Sequence, residues 1–232
     1  MTTGERGPTF AILPVKRFAA AKARLVPELS AGARRALAEA MVTDVVMALR
    51  RTKAIDEVLI VTAEPVVEAI GYGYGATVLA DRAEKGQSAA ALIGIAHALE
   101  HGAARVVLVP GDCPALDPGQ LAELLDRPLL GRSVTLVPDR HGSGTNALVL
   151  VPPDVIEPAF SEGSRARHEQ AAAAAGVPCQ VESVPTLLLD VDTADDLAAL
   201  RRLLADRHGG AAHTRGILSR LAGYERPPAA GP

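Results

Sequence analysis

Short apolar runs rich in β-branched residues recur along this chain, separated by longer Ala- and Leu-rich stretches of helical period. A strand covered on both faces reads as a continuous apolar run, and a crossover helix needs an apolar stripe on one side. The alternation therefore predicts an α/β fold, with a mixed, mostly parallel sheet flanked by helices. Expected strands cover 9–15, 57–62, 76–80, 105–109, 133–137, 146–151, 179–184 and 186–190, eight being an upper count. Ser30, Ser88, Ser164 and Thr193 are the expected helix N-caps, and Asp117-Pro118 opens a further helix with proline in its first turn. These caps put the preceding loops at strand C-termini, where ligands bind in open α/β sheets. No repeat or linker divides residues 9 to 205, so one domain is expected over 1–207, followed by a loose Gly- and Pro-rich tail over 208–232 with one short helical piece.

Composition narrows the function classes. With 48% hydrophobic and 22% charged residues, the 232-residue chain can bury a core without a partner. Only 3% of residues are aromatic and the net charge is -3, so neither stacking platforms nor a basic surplus for nucleic acid or anionic membrane is present. Cys113 and Cys179 are too few for a disulfide scaffold or a closed zinc site, and they fit a reducing cytoplasm. No run reaches the length of a membrane span, and the N-terminus lacks the apolar core of a signal peptide.

Within this acidic chain, PVKRFAAAKARL at 14–25 gathers Lys16, Arg17, Lys22 and Arg24 directly after the first strand, beginning with Pro14. Four cations at a strand C-terminus make a candidate triphosphate cradle, although a solvated basic turn would look the same. The segment is not a P-loop, because the glycines of that motif are missing. In VLVPGDCPALD at 107–117, Gly111 and Asp112 follow a buried strand, where a carboxylate can reach a metal. Cys113 beside it reads as a small buried residue, since Asp112 would raise its pKa. In TLLLDVDTADDL at 186–197, Asp190 and Asp192 lie two apart and share one face if the backbone is extended. Hard oxygen ligands of this kind select Mg2+ or Mn2+ over zinc. Asp195 and Asp196 belong to the following helix dipole. GSGTN at 142–146 offers Thr145 and Asn146 after flexible glycines, and GSRARHEQ at 163–170 offers Gly163, Ser164 and Arg165 at a helix start suited to an anion. Gly86, Gln87 and Ser88 stand at the mouth of another helix, where they could read a base or ribose. His97 and His101 have no third ligand nearby in sequence and read as a surface pair.

Taken in order, ILPVKRFAAAKARL, the GQSAA segment, VPGDCPAL, GTNAL, FSEGSRARH and LLLDVDTADDL resemble the 2-phospho-L-lactate or phosphoenolpyruvate guanylyltransferase family over about residues 9 to 205. The resemblance implies a nucleotidyltransferase domain of the glycosyltransferase A type and a role in biosynthesis of coenzyme F-420. By that resemblance Asp112, Asp190 and Asp192 match the metal positions, Thr145, Gly163 and Ser164 hold the phosphorylated three-carbon acid, and Lys16, Lys22 and Arg24 form the basic loop over the triphosphate of GTP. Pro14, Lys16, Lys22, Gly86, Ser88 and Gly111 are the nucleotide-binding candidates, and Arg165 joins the acid site. The chain departs from the family at Ser88, where Asn is frequent. Between phosphoenolpyruvate and 2-phospho-L-lactate the residues do not choose; an Ala-, Arg- and Gly-heavy composition favours phosphoenolpyruvate by resemblance to actinobacterial members. A homodimer and hand-over of the product to a downstream transferase complete the expectation. The competing readings are another nucleotidyltransferase, a metal-dependent glycosyltransferase and a noncatalytic nucleotide-binding module.

Overall fold

In a computed structural model, which describes residues 7–18, 22–127 and 131–224, one seven-stranded sheet carries the chain. Its strands are β1 (Thr9–Val15), β2 (Glu57–Thr62), β3 (Thr77–Ala80), β4 (Arg105–Leu108), β5 (Ser133–Pro138), β6 (Thr145–Val151) and β7 (Cys179–Val181), in the order β3-β2-β1-β4-β6-β5-β7. β6 runs antiparallel to both neighbours, and all other pairings are parallel. The mixed, mostly parallel sheet expected from the alternation is the one found.

Side-chain alternation divides the core into two layers. Ala11, Leu13, Val58, Ile60, Val107 and Val149 face α1 (Ala31–Arg51) and α4 (Pro118–Leu125). Ile12, Leu59, Val61, Leu108, Leu136 and Leu148 face α3 (Gln87–Glu100) and α5 (Ser164–Ala174). α3 crosses β1 so closely that a Cβ on Gly94 would stand 2.5 Å from Ile12 Cγ2. α2 (Pro65–Gly73) links β2 to β3. A third apolar cluster joins the start of α1 to α6 (Ala194–Asp206) and α7 (Ala212–Tyr224) through Leu37, Met41, Val191, Leu197, Leu200 and Leu218.

Several local expectations change. Residues 186–190 form no strand, because Pro185 lacks an N–H and Leu187 N–H donates to Val184 O at 2.8 Å, closing a 3-10 turn over Pro185–Leu187. Gly86 and Gly163, at φ +107° and +69°, cap α3 and α5, and the expected caps Ser88 and Ser164 lie inside the first turns. Ser30, Asp117 and Thr193 do cap their helices, Thr193 in a reciprocal box with Asp196. The short helical piece expected beyond Arg207 is α7, Ala212–Tyr224, and it packs against α1. Buried Asp44 of α1 accepts from the N–H groups of His213 (3.1 Å) and Thr214 (2.8 Å), supplying from a distant helix the carboxylate cap that α7 lacks locally. Among the described residues, no helix is long and apolar enough to cross a membrane.

Candidate active site

β1 lies between β2 and β4, so the chain leaves it in one direction to β2 and reaches β4 on the other side, opening a crevice at the strand C-termini. A cavity of about 520 Å3 occupies that crevice, and Lys16, Lys22, Asp112 and Asp192 lie on its wall. Pro14, Gly86 and Gly111 also line it.

The basic loop is shaped from below. The buried Glu64 carboxylate accepts from Phe18 N–H at 2.8 Å and from Arg35 Nη2 at 3.2 Å. Arg17 pairs with Glu84 at 2.9 Å across the crevice. Residues 19–21 of the loop lie outside the described residues. Lys22, at φ +56°, turns its ammonium inward, where it donates to Asp112 Oδ2 at 2.7 Å and Asp192 Oδ1 at 3.0 Å. Burial by itself would lower the pKa of this ammonium. Attraction to the two carboxylates and the hydrogen bonds they accept outweigh it, so Lys22 is held above the ordinary lysine value and stays charged.

Asp112 ends the turn after β4, which packs so tightly on α1 that a Cβ on Gly111 would meet Val42 at 3.0 Å. Asp112 O accepts Val191 N–H at 3.2 Å, bringing the 190–192 segment alongside. Val191 is fully buried, so the alternation that sets the carboxylates on either side of it apart from the core persists without a strand. Asp190 Oδ1 accepts from Asn146 Nδ2 at 3.2 Å, and the same amide donates to Leu187 O at 2.8 Å. Burial, reinforced by Asp112, pushes the Asp190 carboxyl up. Cys113, buried beside Asp112, is pushed well above the ordinary thiol range by burial and the nearby carboxylates, so it is no nucleophile.

A second cluster joins the two glycine-led motifs. His168 Nε2 accepts Ala159 N–H at 2.8 Å, so Nδ1 carries the ring proton and donates to Thr145 Oγ1 at 3.1 Å. Ser164 Oγ lies 3.2 Å from the same Thr145 hydroxyl. Arg165 pairs with Glu169 at 2.9 Å and donates to Gly142 O at 3.3 Å, closing the 142–145 turn against α5. Asn146 connects this cluster to Asp190. Thr145, Gly163, Ser164, Arg165 and Asp190 therefore stand beside the cavity without forming its wall.

Two sequence assignments fare worse. Ser88 Oγ accepts Phe160 N–H at 2.8 Å, so its hydroxyl fastens the loop before α5 and is absent from the cavity wall. Arg24 is exposed in the 3-10 turn Ala23–Leu25 and also lies off the wall. Asp81, Glu84 and Glu64 were not anticipated as site residues. The position of Asp81 immediately after a strand was the available signal. His97 and His101 stack on the surface of α3, centroids 3.9 Å apart.

Burial, aided by the Arg167 guanidinium, lowers His168 to about 4. An unfolded histidine titrates at about 6.5, so as pH falls from about 6.5 to 4 the unfolded chain takes up a proton that the native site refuses, and stability declines. His168→Gln cannot titrate. Between pH 7 and 4.5 its urea midpoint should fall less than that of the wild type; equal falls would assign the acid sensitivity to other groups.

Comparison with known proteins identifies the family. The family model described as "Guanylyl transferase CofC like" matches residues 9–227. A phosphoenolpyruvate guanylyltransferase from Conexibacter woesei is 55% identical over 214 residues, covering 92% of this chain and 96% of that protein. A 2-phospho-L-lactate guanylyltransferase from Methanothermobacter thermautotrophicus is 33% identical over 222 residues, 94% of this chain and 93% of that one. The solved structure of a nucleotidyl transferase from the latter organism superimposes with a TM-score of 0.65 at 17% identity, over 85% of this chain and 98% of that chain, and so shares the fold. The crevice at the switch point, its carboxylate pair and its basic loop thus sit on a nucleotidyltransferase fold of the glycosyltransferase A type, and the chain belongs to the CofC-like guanylyltransferase family.

Proposed function

We propose that this enzyme transfers GMP from GTP to phosphoenolpyruvate, or to a closely related phosphorylated three-carbon acid such as 2-phospho-L-lactate, releasing pyrophosphate. The observation that carries the reading is the convergence of Lys22, Asp112 and Asp192 beneath a basic loop at the sheet switch point. The high identity to a protein named phosphoenolpyruvate guanylyltransferase favours phosphoenolpyruvate as acceptor.

Among the described residues, no three carboxylates, thiols or imidazoles form a ready metal cage. The donor set nevertheless suits a hard divalent cation: Asp112 Oδ1 is buried without a hydrogen-bond partner among the described residues, and Asp190 and Asp192 flank it. Asp112, Asp190 and Asp192 would hold Mg2+ or Mn2+, with substrate phosphates completing the shell. Bound there, the ion would neutralise charge on the α-phosphate.

The chain's own residues do the rest. Lys16 and Lys22 place positive charge along the cavity for the β- and γ-phosphates and the departing pyrophosphate. Thr145 accepts from His168 and Ser164, which leaves its own hydroxyl hydrogen for an oxygen of the acid. The acceptor phosphate is already an anion at neutral pH, so its oxygen attacks the α-phosphorus as the bond to the pyrophosphate breaks, and no general base is required. The new linkage is a phosphoanhydride, an activated group suited to a later transferase in coenzyme F-420 assembly.

Pyrophosphate release with Mg2+ tests the reading, using GTP, ATP and CTP against phosphoenolpyruvate, 2-phospho-L-lactate and 3-phosphoglycerate. Release with GTP and one of the first two acids is expected. No release with GTP and either acid would overturn it.

A further inference from the structure

The end of the cavity away from Lys22 and Asp112 is built from the segment after β3. Asp81 follows that strand directly, with its N–H held by Thr62 O at 2.9 Å, and the residue belongs to the cavity wall although it is only 6% exposed. One carboxylate oxygen, Oδ1, accepts Glu84 N–H at 3.0 Å. Among the described residues the second oxygen has no hydrogen-bond partner. The neighbouring acid, Glu84, is half-exposed and already paired with Arg17. Of the two, Asp81 is therefore the carboxylate with an uncommitted acceptor, on a residue that is otherwise buried.

If the phosphates lie over the lysines, the base lies over this segment. Guanine presents two donors on its Watson–Crick edge, N1–H and the 2-amino group. Adenine presents a bare N1 acceptor at the corresponding place, which a carboxylate repels. We infer that Asp81 selects guanine, accepting from N1–H and the 2-amino group of the base. The inference deepens the guanylyl transfer proposed above and rests on it for the direction in which the nucleotide lies. A buried carboxylate satisfied by one base and confronted by the acceptor of another discriminates strongly, because the wrong partner leaves the charge desolvated and unpaired.

Asp81→Asn is the informative variant. The Asn carbonyl can still accept Glu84 N–H, so the loop keeps its turn, while the second oxygen becomes an NH2 donor. Titration calorimetry of GTP, ITP and ATP with Mg2+, without the acid, reads the selection directly. Expected is a wild-type preference for GTP over ATP that drops about tenfold or more in Asp81→Asn, with ITP, which lacks the 2-amino group, less affected than GTP. A purely structural role for Asp81 would weaken all three nucleotides by one factor. Equal losses, an unchanged GTP to ATP ratio, or a wild type without preference would each overturn the inference. Pyrophosphate release by the wild type separately reports the proposed reaction, so binding selectivity without turnover would sink that reaction and leave the base assignment standing.

Discussion

Asp112→Asn should lower pyrophosphate release by about a thousandfold or more while the protein stays folded. The carboxylate is the meeting point of the site: Oδ2 accepts from Lys22, and buried Oδ1 has no partner among the described residues. An amide of the same shape keeps the turn after β4, because the bond that fastens it to the 190–192 segment runs through the Asp112 carbonyl, which the substitution leaves in place. What it removes is the charge that holds the Lys22 ammonium and that the proposed divalent cation would need. Asp195→Asn, an exposed change in the first turn of α6, is the matching control and should leave turnover within about twofold. Circular dichroism with the rate assay decides the matter; wild-type-like turnover in folded Asp112→Asn would remove it from the chemistry.

Lys22→Met is expected to act on two observables in opposite directions. Turnover should fall by about a hundredfold, the scale on which removing one preorganised positive donor raises a transition state that gains negative charge. Mn2+ binding without nucleotide should tighten by about tenfold or more, because the ammonium occupies the space between Asp112 and Asp192 and repels an incoming cation. The lysine side chain is only 9% exposed, so neither its charge nor its exclusion of a metal is much screened by water. Titration of nucleotide-free protein followed by electron paramagnetic resonance measures the second effect. Unchanged Mn2+ affinity together with unchanged turnover would make Lys22 a structural counter-ion only.

Much of the architecture was legible along the chain, and the reason is physical. β1, β2, β4 and β6 are covered on both faces, so each must be apolar at nearly every position, and such runs stand out against the Ala-rich helices. The caps at Ser30, Asp117 and Thr193 were legible because capping is a contact over two or three residues. Residues 186–190 misled because their apolar run matches a strand, whereas Pro185 and the Leu187–Val184 bond turn the backbone. Ser88 misled because a serine before a helical run has the composition of a cap, whereas Gly86 takes the cap position at a φ that favours glycine.

The sequence by itself determined which residue types gather at the strand ends and helix starts: cations after β1, carboxylates after β4 and before α6, hydroxyls near β6 and α5. Each choice is local, following from strand ends and helix starts. Only the tertiary structure decided that Lys22 closes on Asp112 and Asp192, 90 and 170 residues away. It alone placed Thr145, Ser164 and His168 in one hydrogen-bonded cluster and gave α7 its cap from Asp44 of α1. Those contacts depend on strand order and on the side of the sheet to which each helix crosses. Both are set by burial of the whole core, and no window of sequence contains them.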